Sequence, residues 1–384
     1  MSDPVVRRIE LWHFGAPLAE PFWPAWIPGY PQAENRCTLV RIVDSDGVEG
    51  WSAGPELIQE RRGLGDLVGL MLGQDATDIG LAQQRIREVG YFGWKNWWIE
   101  PAFWDMAGHR QGQPLWRLLG ASEGGEVDLY ASFGEVRSGA QRIADASARL
   151  DAGFTSVKLR VHEDEAADIR QVTEVAEALG DRLRIGVDAN QGWRVTAFAD
   201  APLWDLERAK RFADVCADLG VAWLEEPLPM DAYDDQVALS AYSRVPISGG
   251  EIHTGGEPEL RMMIERGCYS IYQPDAMFTG GVEQTTRIIA LCRERGITYS
   301  PHTWTNGLGF AVNLHLYALS DRTTPLEYPL EEPSWMPECR DAMLTEPFRA
   351  DQGTLRIPDT PGLGVMVSAE ALARHGEQFF AADL

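Results

Sequence analysis

The chain has 384 residues, 45% hydrophobic and 24% charged, with a formal net charge of −24. Single cores stop growing near ~250–300 residues, so one large α/β domain with a smaller companion is expected, and the composition excludes a disordered or fibrous chain. The acidic balance argues against nucleic acid or an anionic membrane as partner, because a phosphate-binding surface needs clustered Lys and Arg.

The first residues include Arg7 and Arg8 but no signal-like apolar run, and no later stretch approaches ~18 uninterrupted apolar residues. No membrane partner and a cytoplasmic location are therefore expected. Cys37, Cys216, Cys268, Cys292 and Cys339 are widely spread, with no C-x-x-C pair, and read as free thiols.

Residues 4–55 alternate as strands do, through Thr38, Val40 and Ile42, and turn at Asp44-Ser45-Asp46-Gly47, a hairpin signal. Residues 18–32 have no usable period but carry Phe22, Trp23, Trp26 and Tyr30 among prolines, which predicts a long aromatic loop and candidate lid. Packing between domains is the plainer reading for any one of these rings. Helical patterns dominate from Leu57 to Leu119, and the rhythm changes after Gly124-Gly125.

From there strand and helix alternate with a period of about 30 residues. In 156–161, Val157, Leu159 and Val161 share one face while Lys158 and Arg160 share the other. Ile169, Val172, Ala176 and Leu179 follow at helical spacing up to Gly180. With strands predicted at 127–132, 183–187, 222–228, 247–251, 271–277, 298–302 and 326–328, the count reaches eight, which closes a TIM barrel.

Barrels of this kind place their chemistry at the C-terminal strand ends. The polar residues there are Lys158 and Arg160, Asp188 and Asn190, Glu225 and Glu226, Glu251, Asp275, His302 and Glu327. From Asp188 onward the reactive positions are separated by 37, 26, 24, 27 and 25 residues, about one per βα unit. Parity turns Trp223 and Glu225 toward the barrel axis, so Glu225 is a better ligand than Glu226. Asp188, Glu225 and Glu251 offer three hard oxygen donors suited to magnesium, and no Cys/His cluster argues for zinc. Taken singly, each acid is more often a helix cap or ion-pair partner. Taken together they answer a second need, since inward Lys158 and Arg160 require opposite charge in a barrel covered on both faces.

The segments Pro101-Ala-Phe-Trp-Asp-Met-Ala-Gly108, Pro114-Leu-Trp-Arg-Leu-Leu-Gly120, Lys158-Leu-Arg160, Val187-Asp-Ala-Asn-Gln-Gly-Trp193, Trp223-Leu-Glu-Glu-Pro227, Gly249-Gly-Glu251, Gln273-Pro-Asp275 with Gly280-Gly281, and Ser300-Pro-His302 resemble the mandelate racemase and muconate lactonizing group of the enolase superfamily. The resemblance implies an α+β capping domain built from the N-terminal region (1–124) and the C-terminal segment (356–384), and a (β/α)7β barrel (125–355). It also implies a Mg2+ site, a small carboxylate substrate and self-association into a homo-oligomer. By the same resemblance Asp188, Glu225 and Glu251 hold the metal, Lys158 and Glu327 contact the substrate carboxylate from opposite sides, and Asn190 binds a substrate hydroxyl. Proton abstraction next to a carboxylate with an enediolate stabilised by magnesium is the superfamily's known pattern.

His302 is the proton-transfer candidate, because Asp275 falls at the matching strand end to orient it. His253, two residues past Glu251, either lines the substrate pocket or only packs. Trp23, Trp26, Tyr30 and Trp304 are further candidates for contact with substrate. Arg160 stands where many members of the group carry a second Lys base, and an Arg stays protonated. One ready base suits dehydration of a hydroxy or sugar acid to a 2-keto-3-deoxy acid. If burial beside Arg160 lowered the pKa of Lys158, racemisation, epimerisation or lactone cycloisomerisation would follow instead. A non-catalytic carboxylate-binding protein on the same fold is the remaining alternative.

Overall fold

The computed structural model describes residues 3–55, 61–93, 95–161, 164–199, 201 and 203–384, with Arg61 and Arg62 described by their backbone alone. The start of the helical stretch expected from Leu57 therefore lies outside the described residues.

The first strands, β1 (Val6–Phe22), β2 (Gln32–Asp44) and β3 (Glu49–Pro55), form an antiparallel meander whose second turn sits at residues 45–47. Their inward side chains, among them Ile9, Leu11, Leu39 and Ile42, are fully buried. Gly50 in β3 lets helix Glu100–Gln111 approach, because a Cβ there would fall 1.9 Å from the Ala102 carbonyl oxygen.

The loop expected over 18–32 is shorter, because β1 continues to Phe22 and re-pairs with Gln32. The prolines do not prevent this. The last strand pairs with β1 only as far as Phe14, so Pro17 and Pro21 lie on a free edge where a missing N–H breaks no ladder.

The barrel consists of β4 (Glu126–Ser132), β5 (Ser156–Arg160), β6 (Arg184–Asp188), β7 (Trp223–Glu225), β8 (Ile247–Gly249), β9 (Ile271–Tyr272), β10 (Thr298–Tyr299) and β11 (Leu326–Pro329), in the order β10-β9-β8-β7-β6-β5-β4-β11 with every neighbour parallel. Across the seam between β10 and β11, Thr303 donates its backbone N–H to Glu327 Oε2 (2.7 Å) and its hydroxyl to the Glu327 carbonyl (3.0 Å). A short strand, β12 (Thr354–Arg356), adds antiparallel to β4, and β13 (Gly376–Asp383) runs antiparallel to β1.

Several barrel strands are shorter than their sequence patterns predict; β9 and β10 keep two laddered residues each. Beyond the ladder the backbone turns out to form the mouth, with Asn190 (φ 46°) and Glu226 (φ 44°) in the left-handed region. Non-glycine residues pay strain there and cluster at functional sites.

The N-terminal sheet and its helices dock over that mouth. Glu100 accepts the N–H groups of Val282 (2.7 Å) and Glu283 (3.1 Å) at the start of barrel helix Gly281–Arg295. Trp97 Nε1 donates to the Thr254 carbonyl (3.1 Å). A second seam runs through His315 on helix Gly307–Tyr317. Its Nδ1 accepts from the Trp116 N–H (3.2 Å), and its Nε2 lies 3.1 Å from the Leu363 carbonyl.

Candidate active site

All five residues of β5 are buried, so the alternation in Ser156-Val-Lys-Leu-Arg160 drives two cations into the barrel. A buried ion costs several kcal/mol unless it is paired and hydrogen-bonded, and the neighbouring strand ends supply the partners. Lys158 Nζ lies 2.5 Å from Glu225 Oε1, 2.7 Å from Glu327 Oε1 and 3.5 Å from Asp188 Oδ2. The Arg160 guanidinium pairs with Asp188 and donates to Asn190 Oδ1 (3.2 Å) and the Phe133 carbonyl (2.7 Å). Each acid has neutral donors as well. Gln273 Nε2 reaches Glu225 Oε2 (2.7 Å), Ser132 Oγ reaches Glu327 Oε1 (2.8 Å), and Trp193 Nε1 reaches Glu251 Oε1 (2.6 Å).

Burial pulls the Lys158 ammonium down, but Glu225, Glu327 and Asp188 outweigh it and hold the group above its ordinary value. The expectation that burial beside Arg160 would lower Lys158 is thereby corrected: three carboxylates within 3.5 Å count for more than one guanidinium.

Across the mouth, His302 Nδ1 lies 3.0 Å from Asp275 Oδ2, and Asp275 Oδ1 accepts from Asn313 Nδ2 (2.8 Å) and the Met277 N–H (2.9 Å). The other ring nitrogen is 3.6 Å from Glu251 Oε2. Burial lowers this imidazole, and Glu251, Asp275 and Glu327 more than reverse that, so it is pushed up to about 9.

Arg160, Asn190, Glu251 and His302 line a cavity of about 60 Å³. Trp26, Trp193, Ile252, Phe278 and Trp304 form its neck and also line a wider cleft of about 760 Å³ under the N-terminal sheet. Arg160 stacks between Trp26 and Trp304, with its guanidinium carbon 5.2 and 5.6 Å from the ring centroids.

Of the expected substrate contacts, Asn190, Trp26 and Trp304 line the small cavity and Tyr30 lines the outer cleft against Phe198. Two expected contacts lie elsewhere. Trp23 is 53% exposed, with its backbone N–H on Glu135 Oε1, because the chain turns its ring outward where β1 ends. His253 is buried but held at 2.9 Å by Glu259 from the following helix, outside both cavities. Ile252 and Phe278 had no signal beyond their position just after a strand end.

Among the described residues, no three acidic, His or Cys side chains form a ready-made cation cage, because Lys158 and Arg160 occupy the space between the acids. The charge balance nevertheless fits a dication. Asp188, Glu225, Glu226, Glu251, Asp275 and Glu327 are all buried, against Lys158, Arg160 and a protonated His302; the nearby Arg194 turns to the Ala189 and Asn190 carbonyls. Burial, with Glu225 and Glu251, pushes Asp188 up to about 8 despite Arg160 and Lys158. Glu226 is driven well above the carboxylate range by burial and the same crowd of acids. A hard dication would relieve that excess, and Asp188, Glu225 and Glu251 present only oxygen donors to it.

Comparison with known proteins agrees with this geometry. The profile described as "Mandelate racemase / muconate lactonizing enzyme, N-terminal domain" matches residues 20–120, and "Enolase C-terminal domain-like" matches residues 141–371. D-galactarolactone cycloisomerase of Agrobacterium fabrum is 29% identical, with 87% of this chain and 89% of the relative covered. L-talarate/galactarate dehydratase of Salmonella typhimurium is 30% identical over 89% of this chain and 83% of its own. The crystal structure of that dehydratase, liganded with Mg and L-lyxarohydroxamate, superposes with a TM-score of 0.82 at 26% identity, covering 100% of this chain and 95% of the other. No helix among the described residues is long and apolar enough to cross a membrane. Related chains thus include both dehydratases and cycloisomerases, and this chain belongs to the mandelate racemase/muconate lactonizing enzyme family of the enolase superfamily.

Proposed function

We propose that the protein is a Mg2+-dependent enzyme that removes the proton α to the carboxylate of a hydroxy or sugar acid and expels the β-hydroxyl, giving a 2-keto-3-deoxy acid. One observation carries this: two cations, Lys158 and Arg160, are held in ion pairs with acids on one side of the site, and one imidazole oriented by Asp275 stands on the other.

Asp188, Glu225 and Glu251 would hold the magnesium ion, whose charge lowers the barrier to forming a second negative charge on the substrate. Lys158 and Glu327 position the reacting carboxylate, Arg160 stays protonated beside it, and Asn190 takes a substrate hydroxyl. In its neutral form, which a dication beside Glu251 would favour, His302 accepts the α-proton, and the C–H electron pair forms the new carbon–carbon double bond. The same imidazolium then returns its proton to the departing β-hydroxyl, which leaves as water, and the enol tautomerises to the ketone.

A second outcome has support of its own. Expulsion of a ring oxygen in place of a hydroxyl would be a cycloisomerisation, and the aromatic neck together with a cycloisomerase relative favours it.

The test is incubation with Mg2+ in heavy water across a panel of acid sugars. Keto-acid formation with loss of one water supports dehydration, and an isomeric open-chain keto acid formed from a cyclic substrate without loss of water supports cycloisomerisation. Deuterium incorporation at the α-carbon without either product indicates a racemase, and no exchange with any acid indicates a binding protein.

A further inference from the structure

The three acids offered to the metal are held in different ways. Asp188 Oδ1 accepts the Asn190 N–H (2.8 Å) while its Oδ2 pairs with Arg160. Glu225 takes Lys158 on one oxygen (2.5 Å), and Gln273 Nε2 (2.7 Å) and Trp223 Nε1 (3.2 Å) on the other. For Glu251 the close donor is the indole N–H of Trp193, which reaches Oε1 at 2.6 Å; Oε2 lies 3.6 Å from His302 Nε2. A glutamate arm gives up rotamer freedom when a cation takes it, and a donor that has already fixed the arm removes part of that cost.

The indole is itself set by the backbone around it. Gln191 donates its N–H to the Glu226 carbonyl (2.8 Å), the Gly192 carbonyl accepts from Met230 (3.0 Å), and Val195 donates to the Trp26 carbonyl in the roof (2.9 Å). Gly192 permits this close turn, since a Cβ there would fall 2.5 Å from the Glu226 carboxyl group. Trp193 therefore stands on a segment tied both to the loop after β7 and to the N-terminal region, and it directs the carboxylate that its N–H reaches.

We propose that Trp193 is a positioning residue for Mg2+, whose indole N–H sets Glu251 in the orientation that takes the cation. This rests on the metal assignment above and adds to it a residue outside the ligand set. Carboxylates that ligate metals are hydrogen-bonded in turn, and losing such an outer partner typically costs about 10- to 100-fold in metal affinity or activity.

Mg2+ is titrated calorimetrically into the metal-free parent, Trp193→Phe and Trp193→Leu. Both variants remove the donor with different losses of bulk, and either one that circular dichroism shows folded carries the test; if neither folds, Trp193 is a packing residue and the proposal falls. The dissociation constant is expected to rise at least about tenfold. α-Deuterium exchange at low Mg2+ should fall with it and return to within about threefold of the parent when Mg2+ is raised about a hundredfold, a rescue that a packing defect would not show. Trp26→Phe is the control for the ring contact: it alters the neighbour whose centroid lies 6.3 Å from that of Trp193, keeps the bond to Glu251, and should leave Mg2+ affinity nearly unchanged. A loss there as large as in Trp193→Phe would assign the effect to packing and overturn the proposal. Unchanged Mg2+ affinity in the Trp193 variants would overturn it too, with the metal assignment left standing. A parent that takes up no Mg2+ would sink the metal assignment and this proposal with it.

Discussion

Two buried histidines on either side of helix Gly307–Tyr317's start behave in opposite ways. His302, at the barrel mouth, is pushed up to about 9 by the acids around it. His315, in the seam against the N-terminal helices, is pushed down to about 4 by burial, which a bond to the Leu363 carbonyl and distant Asp105 do not offset. Burial is common to both, so the carboxylates decide. A His among acids can carry a proton through a reaction, and one set between a backbone N–H and a carbonyl serves as a neutral strut.

The largest expected effect comes from breaking the mouth side. His302→Asn should lower α-proton exchange by about 10³- to 10⁴-fold, the upper part of what a positioned acid–base group supplies. Exchange within tenfold of the parent would hand the base role to Lys158. Next, Lys158→Met leaves Glu225 and Glu327 buried without their ammonium and should cost about 3–5 kcal/mol in urea unfolding. A variant as stable as the parent would show that the acids find other partners.

The seam side is sharpened by pH. The folded value of His315 lies below the ordinary one of about 6.5, so the fold favours the neutral ring. Its contribution is present above pH ~6.5 and is lost as the pH falls toward ~4, up to roughly 3 kcal/mol. Unfolding free energies of the parent should fall more steeply over that window than those of His315→Asn; parallel curves would dissolve the contrast. The smallest effect is expected for Asp275→Asn, which leaves His302 in place but removes its orienting charge, with exchange slowed about 10²-fold.

Much of the charged floor was legible because a βα unit has a nearly fixed length, so Asp188, Glu225, Glu251, Asp275, His302 and Glu327 could be aligned by spacing alone. Parity also sufficed to turn Lys158 and Arg160 inward. The roof was harder. Whether a loop aromatic faces the cleft depends on where a strand stops, and β1 stops five residues later than the proline pattern predicts, which throws Trp23 outward and keeps Trp26 in. His253 illustrates a different failure, since the next helix turn brought Glu259 within reach of it, and that contact has no signature at the strand end. The state of Lys158 was left open by the sequence for a related reason: spacing identifies its neighbours but not that three acids crowd one ammonium.

The pairing of β1 with β13 has a temporal side. Arg8 and Asp383, joined by an ion pair of 2.6 Å, are 375 positions apart. At ~5–20 residues per second of translation, β1 emerges from the ribosome on the order of half a minute before its partner exists. Through that interval its edge is open to other nascent chains, and the barrel can assemble before the sheet that roofs it is complete.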